Sequence, residues 1–109
     1  MLEALLGSVN KERVLFFIYA RGEGYARDIA RFFATDLTPV QRQLENLAKG
    51  GILASRLVGR TRLYTFDPRY PLLDELTAFI AKAISFYPPE EQDRLLLARQ
   101  RPRRGGKPL

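Results

Sequence analysis

The side chains with chemistry to offer are mostly basic, and they fall into three groups. Gln41 and Arg42 lie side by side in a segment of helical spacing. Arg56, Arg60 and Arg62 surround a Gly-Arg pair between two alternating segments, and Arg101, Arg103, Arg104 and Lys107 crowd the end of the chain. A guanidinium is a planar, always charged fork of donors that can read the O6/N7 edge of guanine with two hydrogen bonds or neutralise a phosphate. The Gln41 amide can do the same for the N6/N7 edge of adenine. Other chemistries are missing. The 109 residues include no His and no Cys. That excludes an imidazole base, a Ser-His-Asp triad, a cysteine nucleophile, a disulfide framework and the usual zinc and iron–sulfur sites. No metal or cofactor is expected. Asp28, Asp36 and Asp67 suit helix, turn and hairpin-end positions better than a convergent catalytic set, so an enzyme is not expected.

Eighteen Lys or Arg against twelve Asp or Glu leave a formal charge of +6, which calls for a polyanionic partner or a charged solubilising surface. The charge is uneven: eight basic and four acidic residues lie between Arg27 and Arg69, and six basic and no acidic residues from Arg94 to Leu109. The longest apolar run, Val14 to Ala20, has seven residues, against about twenty for a membrane span. The N-terminus carries Glu3 rather than a basic n-region. These features lead to an expectation of one cytoplasmic domain.

Apolar spacing supplies the elements that must position the basic groups. Residues 1–6 form a short apolar segment that Gly7 ends. Ser8 or Asn10 caps the next helix by offering a side-chain oxygen to its free amides, and that helix runs from about Lys11 to Ala20. Its run VLFFIYA is apolar on every side, so periodicity alone does not separate a buried helix from a strand; the helical segments that follow favour helix. From Tyr25 to Phe33 the residues Tyr25, Ile29, Phe32 and Phe33 recur at helical spacing. After a turn at Ala34–Leu37, Thr38-Pro39 reads as a cap followed by proline at the first helical position. The helix it opens covers 39–49, with Val40, Leu44 and Leu47 as its core stripe, and Gly50-Gly51 ends it.

The period then changes to two. Strands Ile52–Val58 and Thr61–Phe66 flank Gly59-Arg60, with glycine first as a type II′ turn requires. In that register Leu53, Ser55, Leu57, Arg62, Tyr64 and Phe66 share one face, and Arg56, Val58, Thr61 and Leu63 share the other. A helix over 72–86 follows, Pro88-Pro89 breaks it, and Glu90 to Arg99 reads as a short helix with acids first and arginines last.

Three helices, a hairpin and a long helix is the element order of a winged helix-turn-helix. The expected fold is therefore mainly α with a β-hairpin wing, extended by a C-terminal dimerisation helix. The domain would span 1–87, including the helix over 72–86, and 88–109 would form a short helix and a basic, flexible tail. In such a fold the second motif helix enters the major groove of double-stranded DNA and the hairpin lies along the backbone. Helix 39–49 then presents Arg42, Glu45 and Lys49, with Thr38 at its start and Gln41 at its edge. Arg56, Arg60 and Arg62 on the wing (52–66), with Arg27, serve phosphates, and the free amides at Thr38 offer another phosphate contact. Each set also has a plainer reading, as a solvated helix face or as edge-strand protection; their joint occurrence in one fold favours DNA. Tyr64, Phe66, Phe16 and Phe17 read as core.

The segments GYARDIARFF, TPVQRQLENLAKGGIL and RLVGRTRLYTFDPRYPLLDEL resemble winged-helix regulators of the broad ArsR-like group. More closely, they resemble bacterial and archaeal winged-helix domains found alone or ahead of nucleotidyltransferase domains. The resemblance covers roughly residues 4–84. Its most specific pieces are Ala30-Arg31, Val40 with Arg42 and Leu44, Gly59-Arg60, and the Tyr64…Pro68…Pro71 spacing. The ending RPRRGGKPL is similar to the tail of some stand-alone members. The resemblance implies sequence-specific DNA binding as a homodimer and transcriptional regulation, with Arg42 as reader and Gly59-Arg60 as wing tip. Two departures stand out. Ala34 occupies a turn position where members often have glycine, so the turn must avoid a left-handed residue there or bear strain. Without Cys or His, sensing of a soft metal through the usual ligands is not expected.

The stripe Leu72, Leu73, Leu76, Phe79, Ile80, Ala83 and Ile84 is wider than one helix needs to cover a small core. It either packs within the chain or forms a two-fold interface, for which Leu2, Leu5, Leu73, Leu76, Phe79, Ile80, Ala83 and Ile84 are the expected residues. Arg101, Arg103, Arg104 and Lys107 are similar to minor-groove arms and AT-hook segments. They depart from the hook pattern of a single Gly between arginines, and a solubilising tail is the alternative. The rival to DNA binding is a winged-helix protein-interaction module that partners a separately encoded protein such as a nucleotidyltransferase.

Overall fold

Ser8 starts the first long helix: its Oγ accepts from the Lys11 amide at 3.1 Å, satisfying a donor that has no carbonyl within the helix. A computed structural model describes residues 1–100 of the chain, with side chains through Leu96. Their order is α1 (Glu3–Leu6), α2 (Val9–Arg21), β1 (Gly24–Tyr25), α3 (Ala26–Phe32), α4 (Leu37–Lys49), β2 (Leu53–Val58), β3 (Thr61–Phe66), α5 (Leu73–Ile84) and α6 (Pro89–Gln100). The fold is a winged helix-turn-helix, mainly α with a small β wing. No described helix is long and apolar enough to cross a membrane.

The all-round apolar run is the central helix α2, which buries Val14, Leu15, Phe16, Phe17, Ile18 and Ala20. A helix apolar on every side is stable only when others surround it, and α3, α4, α5, α6 and the strands β1 and β3 all pack on α2. From α4 the expected stripe Val40, Leu44 and Leu47 turns inward. A fully enclosed side chain such as Leu44 contributes about 1.5–3 kcal/mol through burial. The last helix, α6, joins the same core through Leu95, which is 1% exposed, so the core extends past Pro88.

The wing has the expected register. Leu53 pairs with Phe66, Ser55 with Tyr64 and Leu57 with Arg62, alternating with Ala54–Thr65, Arg56–Leu63 and Val58–Thr61. Gly59 takes φ 65° while Arg60 stays out of the positive region, as a type II′ turn demands. Asp67 ends the hairpin by accepting from the Arg69 amide at 2.9 Å and from its guanidinium at 3.2 Å through both oxygens. That side-chain bond, then the backbone bond, holds the Asp67 carboxyl below the usual carboxylate range.

Several boundaries differ from expectation. Helix α4 begins at Leu37 with Asp36 as its cap residue, so Thr38 is not the cap and Pro39 is the third helical residue. Proline fits there because the amides of the first turn have no intrahelical carbonyl partner. A two-residue strand, Gly24–Tyr25, pairs antiparallel with β3, so Tyr25, which helical spacing grouped with Ile29, precedes α3 instead of belonging to it. Helix α5 is shorter than expected, ending at Ile84.

The turn between α3 and α4 carries strain. Ala34 has φ 52° and is the single non-glycine residue at positive φ among the described residues. Its amide donates to the Arg31 carbonyl at 3.1 Å and the Thr35 amide to the Ala30 carbonyl at 2.9 Å. These are the two bonds of a Schellman motif. The same pair closes α4, from Gly51 to Ala48 and from Ile52 to Leu47, but there the left-handed position is Gly51, φ 81°. With an L side chain that conformation costs about 1–2 kcal/mol.

Candidate nucleic-acid interface

Because Val40, Leu44 and Leu47 anchor α4 against α2, its other side faces out: Thr38, Gln41, Arg42, Glu45, Asn46 and Lys49 are all exposed. The two-residue turn carries Arg60 to the tip of a narrow ribbon, with Arg56 and Arg62 exposed behind it. Between the helix and the ribbon runs an open groove of about 610 Å³.

Gln41 and Glu45 from α4, Arg60 and Arg62 from the wing, and Arg27 with Asp28 from the start of α3 line this groove. The expected residues Arg27, Gln41, Glu45, Arg60 and Arg62 therefore come together around one channel. Arg42, Thr38 and Lys49 stand on the exposed side of α4 outside its walls, and Arg56 sits on the wing beyond it. Arg62 is fixed by donating from Nη1 to Ser55 Oγ at 3.0 Å, a bond across the two strands. Arg101, Arg103, Arg104 and Lys107 lie outside the described residues.

The groove also reaches a residue that the sequence placed in the core, and that the core does hold. Tyr64, read as core, is 6% exposed yet lines the groove beside Tyr25. Burial, then the Glu45 carboxylate, push its phenol above the ordinary value, with Arg62 opposing. The hydroxyl thus keeps its proton, flanked by one charge of each sign. Alternation put Tyr64 inward, as its burial bears out, and the residue also lines the groove.

The dimerisation residues divide. Ile80, Ala83 and Ile84 are buried in the chain's own core, because α5 lies directly on α2. Leu2 and Leu76 are half-buried against the same core, and Leu73 is half-buried. Leu5 remains 67% and Phe79 40% exposed, joined by Leu72 and Phe86, which the expected set omitted.

No protein-family model and no curated protein matches the chain. Among solved structures, its fold is similar to that of the AntR antimony-specific transcriptional repressor, at 21% identity over 77% of this chain and 74% of that one, with a TM-score of 0.60. It is also similar to a variant of ZitR from Lactococcus lactis in apo form, at 16% identity over 84% of this chain and 78% of that one, with a TM-score of 0.54. At these identities the likeness establishes the shared winged-helix fold.

Proposed function

We propose that the chain is a transcriptional regulator that binds double-stranded DNA sequence-specifically as a homodimer. Helix α4 enters the major groove with Arg42 and Gln41 toward base edges, and the wing follows the backbone through Arg56, Arg60 and Arg62. The observation that carries this reading is the groove between α4 and the wing. Its rim bears Arg27, Arg60 and Arg62 and its helical wall bears Gln41 and Glu45. One groove thereby sets three cationic side chains beside the exposed face of α4, which supports phosphate contacts next to a base-reading helix.

AntR is an antimony-specific repressor. The repressor half of that description suits this surface. The metal half has no thiolate or imidazole to rest on in a sequence without Cys or His. Dimerisation is supported by Leu5, Leu72, Phe79 and Phe86, large apolar side chains that the single chain leaves uncovered.

The test is a fluorescence-anisotropy titration of duplexes selected from genomic fragments and of random-sequence duplex, at two salt concentrations. A selected duplex bound about a thousandfold more tightly than random DNA establishes the specific regulator. Equal and steeply salt-dependent binding to both means a charge-driven architectural binder. Negligible binding to either favours the protein-interaction module.

A further inference from the structure

Helix α3 ends with four carbonyls that have no partner within the helix. The Ile29 carbonyl accepts from Phe33, and those of Ala30 and Arg31 accept from Thr35 and Ala34. The Schellman pair does not reach the fourth, that of Phe32. Arg94, sixty-two residues later on α6, donates to it from Nη2 at 2.8 Å. The same guanidinium lies over the Phe32 ring, 4.3 Å from its centroid. Glu91, one turn earlier on α6, pairs with Arg94 at 3.5 Å. Leu95, the next residue, anchors α6 in the core. Phe32 meets Phe17 and Phe33 edge-on at 5.6 and 4.8 Å, so the clasp bears on the aromatic cluster directly before the strained Ala34.

We infer that Arg94 is a positioning residue for DNA recognition: by completing the cap of α3 and stacking on Phe32, it fixes the turn that sets the angle of α4. The inference rests on the proposed DNA-binding function, but the clasp itself can be tested separately. Arg94 acts through the turn and not through phosphate. Its loss therefore impairs the selective part of binding and spares the electrostatic part, which follows the number of phosphates neutralised.

The test compares Arg94→Ala, Arg94→Lys and Glu91→Gln in the full chain. Each is titrated with the selected and the random duplex over a salt series, with amide hydrogen exchange followed at Ala34 and Thr35. Arg94→Ala is expected to bind the selected duplex about tenfold more weakly, as loss of a charged hydrogen bond can produce. The random duplex and the salt slope should stay unchanged, and exchange at both amides should accelerate. Arg94→Lys keeps a donor without the stacked plane and falls between. Glu91→Gln leaves the clasp in place and behaves as the wild type. Unchanged selective binding by Arg94→Ala overturns the inference, and so does a salt slope reduced by about one, which would make Arg94 a phosphate contact. If the wild type shows no preference for any duplex, the DNA-binding function falls and exchange alone decides the clasp: faster exchange supports it, unchanged exchange removes it.

Discussion

The Tyr87 hydroxyl donates a hydrogen bond to the Glu12 carboxylate, and Glu12 is one of two charged residues that the described fold buries. The other carboxylate oxygen accepts from the Leu2 amide at 2.8 Å and lies 3.4 Å from the Met1 ammonium. One carboxylate thus ties the chain start, α2 and the link between α5 and α6. A buried carboxylate is tolerated only while such donors replace its water.

Removing the phenol donor has a stability effect and a pH effect. Tyr87→Phe is expected to destabilise the fold by about 1.5–3 kcal/mol, the usual range for a hydrogen bond to a charged group, measured by urea denaturation. Burial, then the bond to Glu12, raise the Tyr87 phenol above its ordinary value of 10.0. The folded chain therefore holds this proton more tightly than the unfolded chain. The contribution is complete below about pH 10 and is lost as pH rises toward the folded value. Wild-type stability should fall above about pH 10 more steeply than that of Tyr87→Phe, leaving the smaller decline due to Tyr64. Parallel declines would remove Tyr87 from the alkaline transition.

The contrast between Glu12 and Leu44 shows how much the sequence could reveal. Leu44 belongs to a stripe at helical spacing beside strong stop signals, so local pattern sufficed for α4 and equally for the hairpin register. Glu12 looks like a favourable acid in a helix's first turn; its burial depends on Tyr87, which no local pattern connects to it. Thr38-Pro39 misled by two residues because proline is acceptable anywhere in the first turn, not only at its first position. Ile80 was ambiguous for a different reason: a wide apolar stripe does not say which part covers its own core. Arg27, Glu45 and Arg62 were all expected at the DNA surface, but their gathering around one groove, with Arg42 and Arg56 outside it, depends on the pairing of β1 with β3 and the seating of α4.

Ala34 offers the plainest gain in stability. Its φ of 52° is one that glycine adopts without steric penalty, as Gly51 does in the matching motif. Ala34→Gly is expected to stabilise the protein by about 1 kcal/mol, the relieved strain less the extra entropy of an unfolded glycine. A urea midpoint that falls, with an unchanged slope, would mean that the neighbouring aromatics already accommodate the alanine.

The dimer prediction turns on Phe79, 40% exposed on α5 although the next residue, Ile80, and Ala83 one turn on are buried in the core. Phe79→Glu places a charge on the uncovered side of the helix without touching the core. It is expected to convert a wild-type dimer into a folded monomer in sedimentation velocity, with loss of tight binding to a two-fold site. A wild-type protein that sediments as a monomer at every concentration would refute the homodimer directly.

Arg42 and Arg60 should fail in different ways, although both are exposed arginines. In the proposed binding mode Arg42, exposed on α4, meets the major groove, where a bidentate contact to guanine discriminates by about 1–3 kcal/mol. Arg60 sits at the wing tip on the rim of the groove, where the proposed mode sets it against phosphate. Arg42→Ala is therefore expected to relax preference at one base pair while leaving the salt slope nearly intact. Arg60→Ala should weaken all duplexes alike and lower the slope by about one. The two readouts are independent, so exchanged outcomes would mean that the wing reads bases and α4 only anchors.

Deleting residues 100–109 tests the basic end by the same measurement. Four of its residues, Arg101, Arg103, Arg104 and Lys107, are cationic. Each that reaches a phosphate contributes about 0.9 to the slope of log affinity against log salt. The deletion removes little of α6 and leaves Arg94 and Leu95 in place, so the fold and its clasp should persist. A tail that works as a minor-groove arm shows a reduced slope and a selective loss of affinity for sites with flanking A·T tracts, whose narrow groove attracts arginine. A tail that only adds charge shows the reduced slope with no dependence on the flanks. An unchanged slope takes it out of the interface and leaves α4 and the wing to account for all the binding.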